Sequence, residues 1–230
     1  MKKVIKSIIT VLLTFCSIIS TILMHQLYLQ KANSPTLTLI GHASVKLKSI
    51  EGKVIYIDPY FPVGEYDEPA DFILVTHEHS DHNNINLCKK AEDCLVIRYW
   101  DALIQGEYQT FEKDGIKIEA VPSGGNSHSV KESVGFIVTV DGVRVYHAGD
   151  TSMNEGKYEI AKKEIDYAMY PVDGVYNMGP EEATQVADLI GATYNIPIHG
   201  FGKNYYQQFK DFSAKGKIFM NRGETILLHR

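Results

Sequence analysis

The chain contains no Cys-x-x-Cys pair, no Gly-x-Gly-x-x-Gly turn, no phosphate-binding loop and no stripe of basic residues. Each absence removes a class of function. Without thiols at that spacing, dithiol redox chemistry has no support. Without a glycine-rich turn opening a helix, a nucleotide site is not indicated. With 23 basic against 28 acidic residues, nucleic acid is not expected as a partner. Cysteine itself is scarce. Cys16 follows the bulky Phe15, which suits lipid attachment poorly. Cys88 and Cys94 could either pair in an oxidising compartment or stand as half-buried thiols.

Charge is also missing from one long stretch. No charged residue occurs from Ser7 to Met24, and Lys2, Lys3 and Lys6 precede it. About 20 apolar residues span a bilayer core, so residues 1–30 read as a membrane anchor or a signal segment. Met24-His25-Gln26-Leu27 offers no small-x-small cleavage site, which favours a retained transmembrane helix. The lysines ahead of it predict a cell-membrane protein with its folded domain extracytoplasmic, or a secreted one if the segment is cleaved. Residues 31–36 read as a polar linker, and residues 37–230 as one domain with a core of its own.

Within that domain the patterning is mostly of strands. Leu37–Ile40, Ser44–Lys48, Val54–Ile57, Phe72–Val75, Cys94–Ile97 and Ile116–Val121 are short apolar or alternating runs bounded by turn residues. Val134–Val140 and Val143–His147 flank Asp141-Gly142, the strongest hairpin signal in the chain. Ile165–Pro171 and Asn195–Gly200 carry two further strands, and Lys217–Met220 and Thr225–Leu228 are the last segments. Helices are expected over 84–90, 101–105 and 154–163. The best marked is Pro180–Ile190, with proline in its first turn, Glu181 and Glu182 at the positive end of its dipole, and Gly191 to stop it. The class is α/β, with sheets at the centre and helices outside.

The chemistry concentrates in Thr76-His77-Glu78-His79-Ser80-Asp81-His82, directly after an apolar strand. Imidazole nitrogens and carboxylate oxygens are ligands for zinc and similar ions. Three histidines in six residues, with an aspartate between them, are costly to crowd together unless a cation holds them. Other segments repeat the arrangement of strand followed by ligand: His128, Asp150 and His199, with Asp58 in a similar place. These candidates divide between two ions sharing one carboxylate, and such a pair, about 3.5–4 Å apart, activates a hydroxide and polarises the bond it attacks.

His77-x-His79-x-Asp81-His82 followed by His128, Asp150 and His199 resembles the metallo-beta-lactamase superfamily. Gly41-His42-Ala43-Ser44, Ile57-Asp58-Pro59, Tyr146–Thr151, Pro171–Met178 and Ile196–His199 are more narrowly similar to a branch of small metal-dependent hydrolases related to ascorbate-phosphate lactonase. The resemblance implies a four-layered αββα sandwich. It implies that His77, His79 and His128 hold one divalent metal ion and that Asp81, His82 and His199 hold the other, with Asp150 bridging. Zinc is the first expectation, with manganese or iron as alternatives. Asp58 and His42 are expected to orient liganding groups. His147 reads as a packed strand histidine.

The implied activity is hydrolysis of a small-molecule substrate (an ester, lactone or phosphoester) by a metal-activated hydroxide, with Asp81 or Asp150 orienting the water and relaying its proton. The alternative is a non-enzymatic, membrane-tethered domain that binds or senses metal. Tyr176 reads as a residue packing beneath its loop, with a weaker claim as a proton donor. Nothing in the sequence bears on oligomeric state.

Overall fold

The computed structural model describes residues 12–13, 15–24, 33–60, 66–200, 202 and 205–230. The chain divides into two units, Met1–Ser34 and Pro35–Arg230.

In the first unit the expectation of a transmembrane anchor is corrected. Among the described residues no helix is long and apolar enough to cross a membrane. Helix is described at residues 12–13 and 15–24, and ten residues at about 1.5 Å each cover about half of a hydrocarbon core. Ser17, Ser20 and Thr21 also interrupt its apolar surface, and the Thr21 hydroxyl donates to the Ser17 carbonyl at 3.0 Å. The membrane partner and the anchored placement at the cell membrane rested on that helix and fall with it. The rest of the 1–30 segment, and the 31–36 linker up to residue 32, lie outside the described residues.

In the second unit, strand periodicity builds two six-stranded sheets. The first has the order β14-β1-β2-β3-β4-β5 and the second β13-β12-β11-β10-β9-β8. The first sheet uses β1 (Thr36–Gly41), β2 (Ser44–Lys48), β3 (Val54–Ile57), β4 (Ala70–Val75), β5 (Lys90–Arg98) and β14 (Thr225–Leu227). The second uses β8 (Thr110–Lys113), β9 (Ile116–Pro122), β10 (Val134–Val140), β11 (Val143–His147), β12 (Tyr167–Pro171) and β13 (Tyr194–Ile198). Between them β6 (Leu103–Ile104) and β7 (Glu107–Tyr108) form a small hairpin.

Alternation decides which side chains enter the core. On β4, Phe72 and Leu74 face the second sheet and Ile73 the outer face with Tyr56, Tyr66 and Cys88; Ala70 joins that outer face across a register shift between it and Phe72. The inter-sheet core continues through Val45, Leu47, Phe136, Val138, Val145 and Met169. The other face of the second sheet is covered by α2 (Gly156–Ile160) and α3 (Pro180–Ile190), which bury Ile160, Ala183, Val186, Ala187 and Ile190. Among the described residues of this unit the remaining α-helices are α1 (Tyr99–Ala102) and α4 (Tyr205–Asp211). The fold is the four-layered αββα sandwich of the metallo-beta-lactamase type.

Several elements differ from the sequence expectation. The helix expected over 84–90 is a single 3-10 turn at Ile85–Leu87, because Lys90 already pairs with Ala70 at the start of β5. The helical turn sits at Tyr99–Ala102, where the Arg98 N–H donates to Asp101 Oδ2 at 3.0 Å. α2 is only five residues long. Lys217 makes an isolated bridge to Asn195, and residues 217–220 form no strand. Strand β8 was not anticipated, although Asp114-Gly115 carries the same turn signal as Asp141-Gly142; both pairs have positive φ, the type I′ requirement. Cys88 and Cys94 are free thiols.

Strand direction then positions everything functional. β3, β4 and β5 are parallel, and β1 runs with β3 because β2 is antiparallel to both. In the second sheet β11, β12 and β13 are parallel, and β9 runs with β11 because β10 opposes both. The residues following these strands therefore leave the sandwich along one edge.

Candidate metal centre

At that edge the expected ligands meet. His77, His79, Asp81 and His82 follow β4, His128 lies in the loop after β9, Asp150 follows β11 and His199 follows β13. His82 Nε2 lies 3.3 Å from Asp150 Oδ1, and His128 Nε2 and His199 Nε2 each lie 3.3 Å from Asp150 Oδ2. His77 Nε2 is 4.0 Å from the same oxygen. Asp81 Oδ2 lies 3.8 Å from both His82 Nε2 and His199 Nε2. Three sets of possible ligand atoms lie within 4.8 Å of one another: His77, His79 and His128; His77, His82 and Asp150; and His42, Asp81, His82 and His199. Asp150 thus stands between a trio of imidazoles and a mixed group containing Asp81. His42, expected as a more distant support, is inside that mixed group, with Nε2 at 3.1 Å from Asp81 Oδ2.

The residues fit divalent cations. His77 Nε2, His82 Nε2, His199 Nε2 and Asp150 Oδ1 are buried and have no hydrogen-bond partner. Burying such atoms unpaired costs on the order of 1–3 kcal/mol each, and a shared cation removes that cost. The donor set of imidazole and carboxylate suits zinc, manganese or iron. His79 is exposed and Asp81 half-buried, so one side of the cluster faces water.

Behind the ligands, buried carboxylates fix which imidazole nitrogen points inward. Asp58 is fully buried and accepts from the Thr76 amide at 2.8 Å, the Thr76 hydroxyl at 2.7 Å and His82 Nδ1 at 2.8 Å. The Thr76 oxygen in turn lies 3.0 Å from His77 Nδ1. One carboxylate therefore orients two imidazoles, leaving both Nε2 atoms facing the cluster. Asp173, after β12, stands behind His199 in a charge contact that lacks hydrogen-bond geometry. Its Oδ2 is 3.2 Å from His199 Nδ1, and Oδ1 accepts the Val175 and Tyr176 amides at 2.7 Å. Asn177 joins the two carboxylates, donating to Asp150 Oδ2 at 2.9 Å and Asp173 Oδ2 at 2.7 Å. The signal for Asp173 was present: it too follows an apolar strand. Asn177 carried none.

The loop bearing His128 is glycine-rich because it touches the loop bearing Asp150. A Cβ on Gly125, whose φ is +146°, would stand 2.7 Å from Ser152 Cβ. Beneath both loops lies a residue with no sequence signal. The Lys157 ammonium is wholly buried and donates to Thr151 Oγ1 at 2.8 Å, with the Pro122 carbonyl and Tyr146 hydroxyl at 3.4 Å. Three of the seven non-glycine residues with positive φ among those described are His42, Asp58 and His199, so backbone strain gathers at this edge. His147 is a tether: its Nε2 donates to the Ala43 carbonyl at 2.8 Å, joining the two sheets.

The electrostatics follow from burial and crowding. Burial holds His77 neutral, its pKa lowered to about 3. For His82 burial acts the same way, but Asp150 and Asp58 outweigh it and raise the pKa to about 9. His199 is raised by Asp173 and Asp150 against its burial. Burial alone would raise Asp150, yet His82, His199 and His77 hold it well below the usual carboxylate range. A proton on His82 thus stands where cation charge would otherwise sit.

A cavity of about 460 Å³ opens over the cluster, lined by Tyr60, His79, Asp81, His128, Asp150 and Tyr176 among others. Tyr176, expected to pack beneath its loop, is half-exposed in the cavity wall.

Comparison with known proteins agrees with this geometry. Residues 36–199 match the family described as the beta-lactamase superfamily domain. The chain is 34% identical to the UPF0173 metal-dependent hydrolase of Methanoculleus marisnigri over 180 residues, covering 71% of this chain and 80% of that one. Among solved structures it is similar to a protein from Parabacteroides distasonis described as a metal-dependent hydrolase, at 28% identity and TM-score 0.67, covering 81% of this chain and 91% of the other. It is also similar to a protein from Thermotoga maritima described as a zinc-dependent hydrolase of the metallo-beta-lactamase superfamily, at 29% identity and TM-score 0.58, covering 77% and 84%.

Proposed function

The chain belongs to the beta-lactamase superfamily domain family and is a metal-dependent hydrolase, and from that premise we propose that it cleaves a small ester, lactone or phosphoester. The observation that carries this reading is the set of buried, unpaired ligand atoms around Asp150 beneath a cavity open to water. His77, His79 and His128 would hold one cation and Asp81, His82 and His199 the other, with Asp150 between them. When bound, such a pair of ions supplies a nucleophile from water near neutral pH and polarises the bond under attack.

The chain's own residues do the rest. Asp58 and Asp173 keep the inward nitrogens of His77, His82 and His199 aimed at the cluster. Asp150, held ionised, is a shared carboxylate. Asp81 stands at the water-facing side, braced by His42, where it orients water and accepts a proton. Tyr60 and Tyr176 flank the cavity mouth and bound the substrate's position. The segments that resemble the branch related to ascorbate-phosphate lactonase, such as Gly41–Ser44 and Tyr146–Thr151, support a lactone, ester or phosphoester over a beta-lactam.

The test loads the full chain with zinc or manganese and screens lactones, carboxylic esters and phosphoesters. Hydrolysis that chelation abolishes and metal restores is expected, with a His79→Ala, Asp150→Ala double variant losing both metal and activity. A double variant that kept its metal content and activity would refute the assignment.

A further inference from the structure

A second cavity, of about 430 Å³, lies on the far side of His42, within the size range of small-molecule sites. Its floor is apolar and closed: Leu39 and Met220 are 4% and 2% exposed. Its mouth is aromatic, with the exposed Asn221 and Arg222 beside it. The Phe219 ring lies 5.6 Å from Tyr206 and 6.0 Å from Phe209, and all three line the opening. The metal-facing cavity is different in kind, walled by histidine, aspartate, serine and tyrosine, and offers an alkyl group no aliphatic wall.

The two cavities are one residue apart at two places. Gly200, in the wall of the apolar cavity, follows His199 directly. His42, also in that wall, has Nε2 3.1 Å from Asp81 and its ring 3.8 Å from the His199 ring. The His42 amide plane is fixed as well, since its carbonyl accepts from the His199 N–H at 3.1 Å. The imidazole is therefore a partition with a polar edge on the cluster and the remainder toward an apolar chamber. We propose that this chamber seats the apolar group of an amphiphilic substrate, an alkyl chain or aryl ring, whose hydrolysed bond lies over the ligand cluster. The proposal rests on the hydrolase reading and adds to it the substrate's second half. Adjacency at both His42 and Gly200 selects the occupant: a group bonded to the reacting centre reaches the chamber by passing one side chain.

The experiment uses the zinc-loaded full chain and γ-lactones whose alkyl branch grows from none to six carbons. Binding of N-phenyl-1-naphthylamine, a neutral fluorescent probe, is followed separately. A buried methylene changes affinity about fourfold, so kcat/KM should rise by about that factor for each added carbon until the chamber is full. Met220→Trp, which fills the floor, should lower the long-to-short ratio by about tenfold and weaken probe binding. Phe219→Ala, a change at the half-exposed mouth, should flatten the chain-length dependence even where the floor variant does not fold. Lactone hydrolysis with no chain-length dependence in the wild type overturns the chamber and leaves the hydrolase reading intact. Probe binding that long alkyl alcohols displace and Phe219→Ala weakens, without hydrolysis of any lactone, ester or phosphoester, supports the chamber as a binding site and overturns the hydrolase reading. Absence of both probe binding and chain-length dependence overturns the proposal.

Discussion

Asp58 and Asp173 do at the level of single residues what the ligands cannot do for themselves. An imidazole is a ligand only through the nitrogen that lacks a proton, and a carboxylate behind the other nitrogen settles which one that is. For Asp173→Asn we expect zinc affinity to fall about 10–100-fold, read by competition with a chromophoric chelator; unaltered affinity would mean that His199 needs no such partner. His82 must lose its proton to bind metal, so zinc uptake should release protons and strengthen as pH rises from 6 toward 9. Calorimetry in two buffers of different ionisation enthalpy measures that release, and none would contradict the charge arrangement around Asp150. Lys157 makes the stability of the fold itself depend on pH. Burial lowers its pKa from 10.5 to about 7. Between those values the unfolded chain binds the extra proton, so the native state gains stability as pH rises. At about 1.4 kcal/mol per pKa unit the ceiling is about 5 kcal/mol. Urea melts of wild type against Lys157→Met from pH 6.5 to 10 should show the wild type gaining relative to the variant, and parallel curves would sink the argument.

Elements matter here through where they stop. Each functional side chain follows the carboxyl end of a strand, where the ladder's hydrogen bonds run out and the chain turns. α2 is short but pinned. A Cβ on Gly156 would stand 2.2 Å from Pro122 Cβ at the end of β9. Gly156→Ala should therefore push α2 off that strand at a cost of about 1–3 kcal/mol, a fall in Tm of about 2–4 °C per kcal/mol. A melting temperature equal to wild type would show that the proline ring yields freely. Elements with a period or a turn signature were legible in advance: the Asp141-Gly142 hairpin, the Pro180–Ile190 helix and β4. The 84–90 stretch was not. Its polar and apolar residues satisfy a helix, but the parallel partner β4 draws Lys90 onward into a strand, and that partner is not local. β8 was missed for the same reason, since Thr110–Lys113 is too short to show alternation until β9 pairs with it.

At the scale of the whole second unit, two sheets must pack face to face for the edge to exist. The first brings Asp58, His77 and His82, and the second brings His128, Asp150, Asp173 and His199. Holding them together without a cation crowds unpaired ligand atoms into a buried space, so metal and fold are coupled. Zinc at a thousandfold over its dissociation constant stabilises a single site by about 4 kcal/mol, or about 8 °C and more in Tm at this size. Differential scanning calorimetry of zinc-loaded against chelator-treated protein should show a shift of that order. A shift below one degree would separate the ligand cluster from stability.

The sequence by itself determined the chemistry and the class. Donor atoms are local, and His77, His79, Asp81 and His82 lie within six residues, so their affinity for a cation needs no knowledge of the rest of the chain. The motifs around them were enough to name the fold and the kind of enzyme. The tertiary structure alone decided which oxygen faces which nitrogen. It drew His42 into the group around Asp81, gave Asp173 and Asn177 their places, buried Lys157 beneath both loops and set an apolar chamber behind His42. The same structure removed the transmembrane reading, which composition had favoured and which no described helix supports. The physical reason is separation along the chain. Contacts between residues a hundred positions apart depend on strand order and on two sheets closing, and no local pattern encodes either.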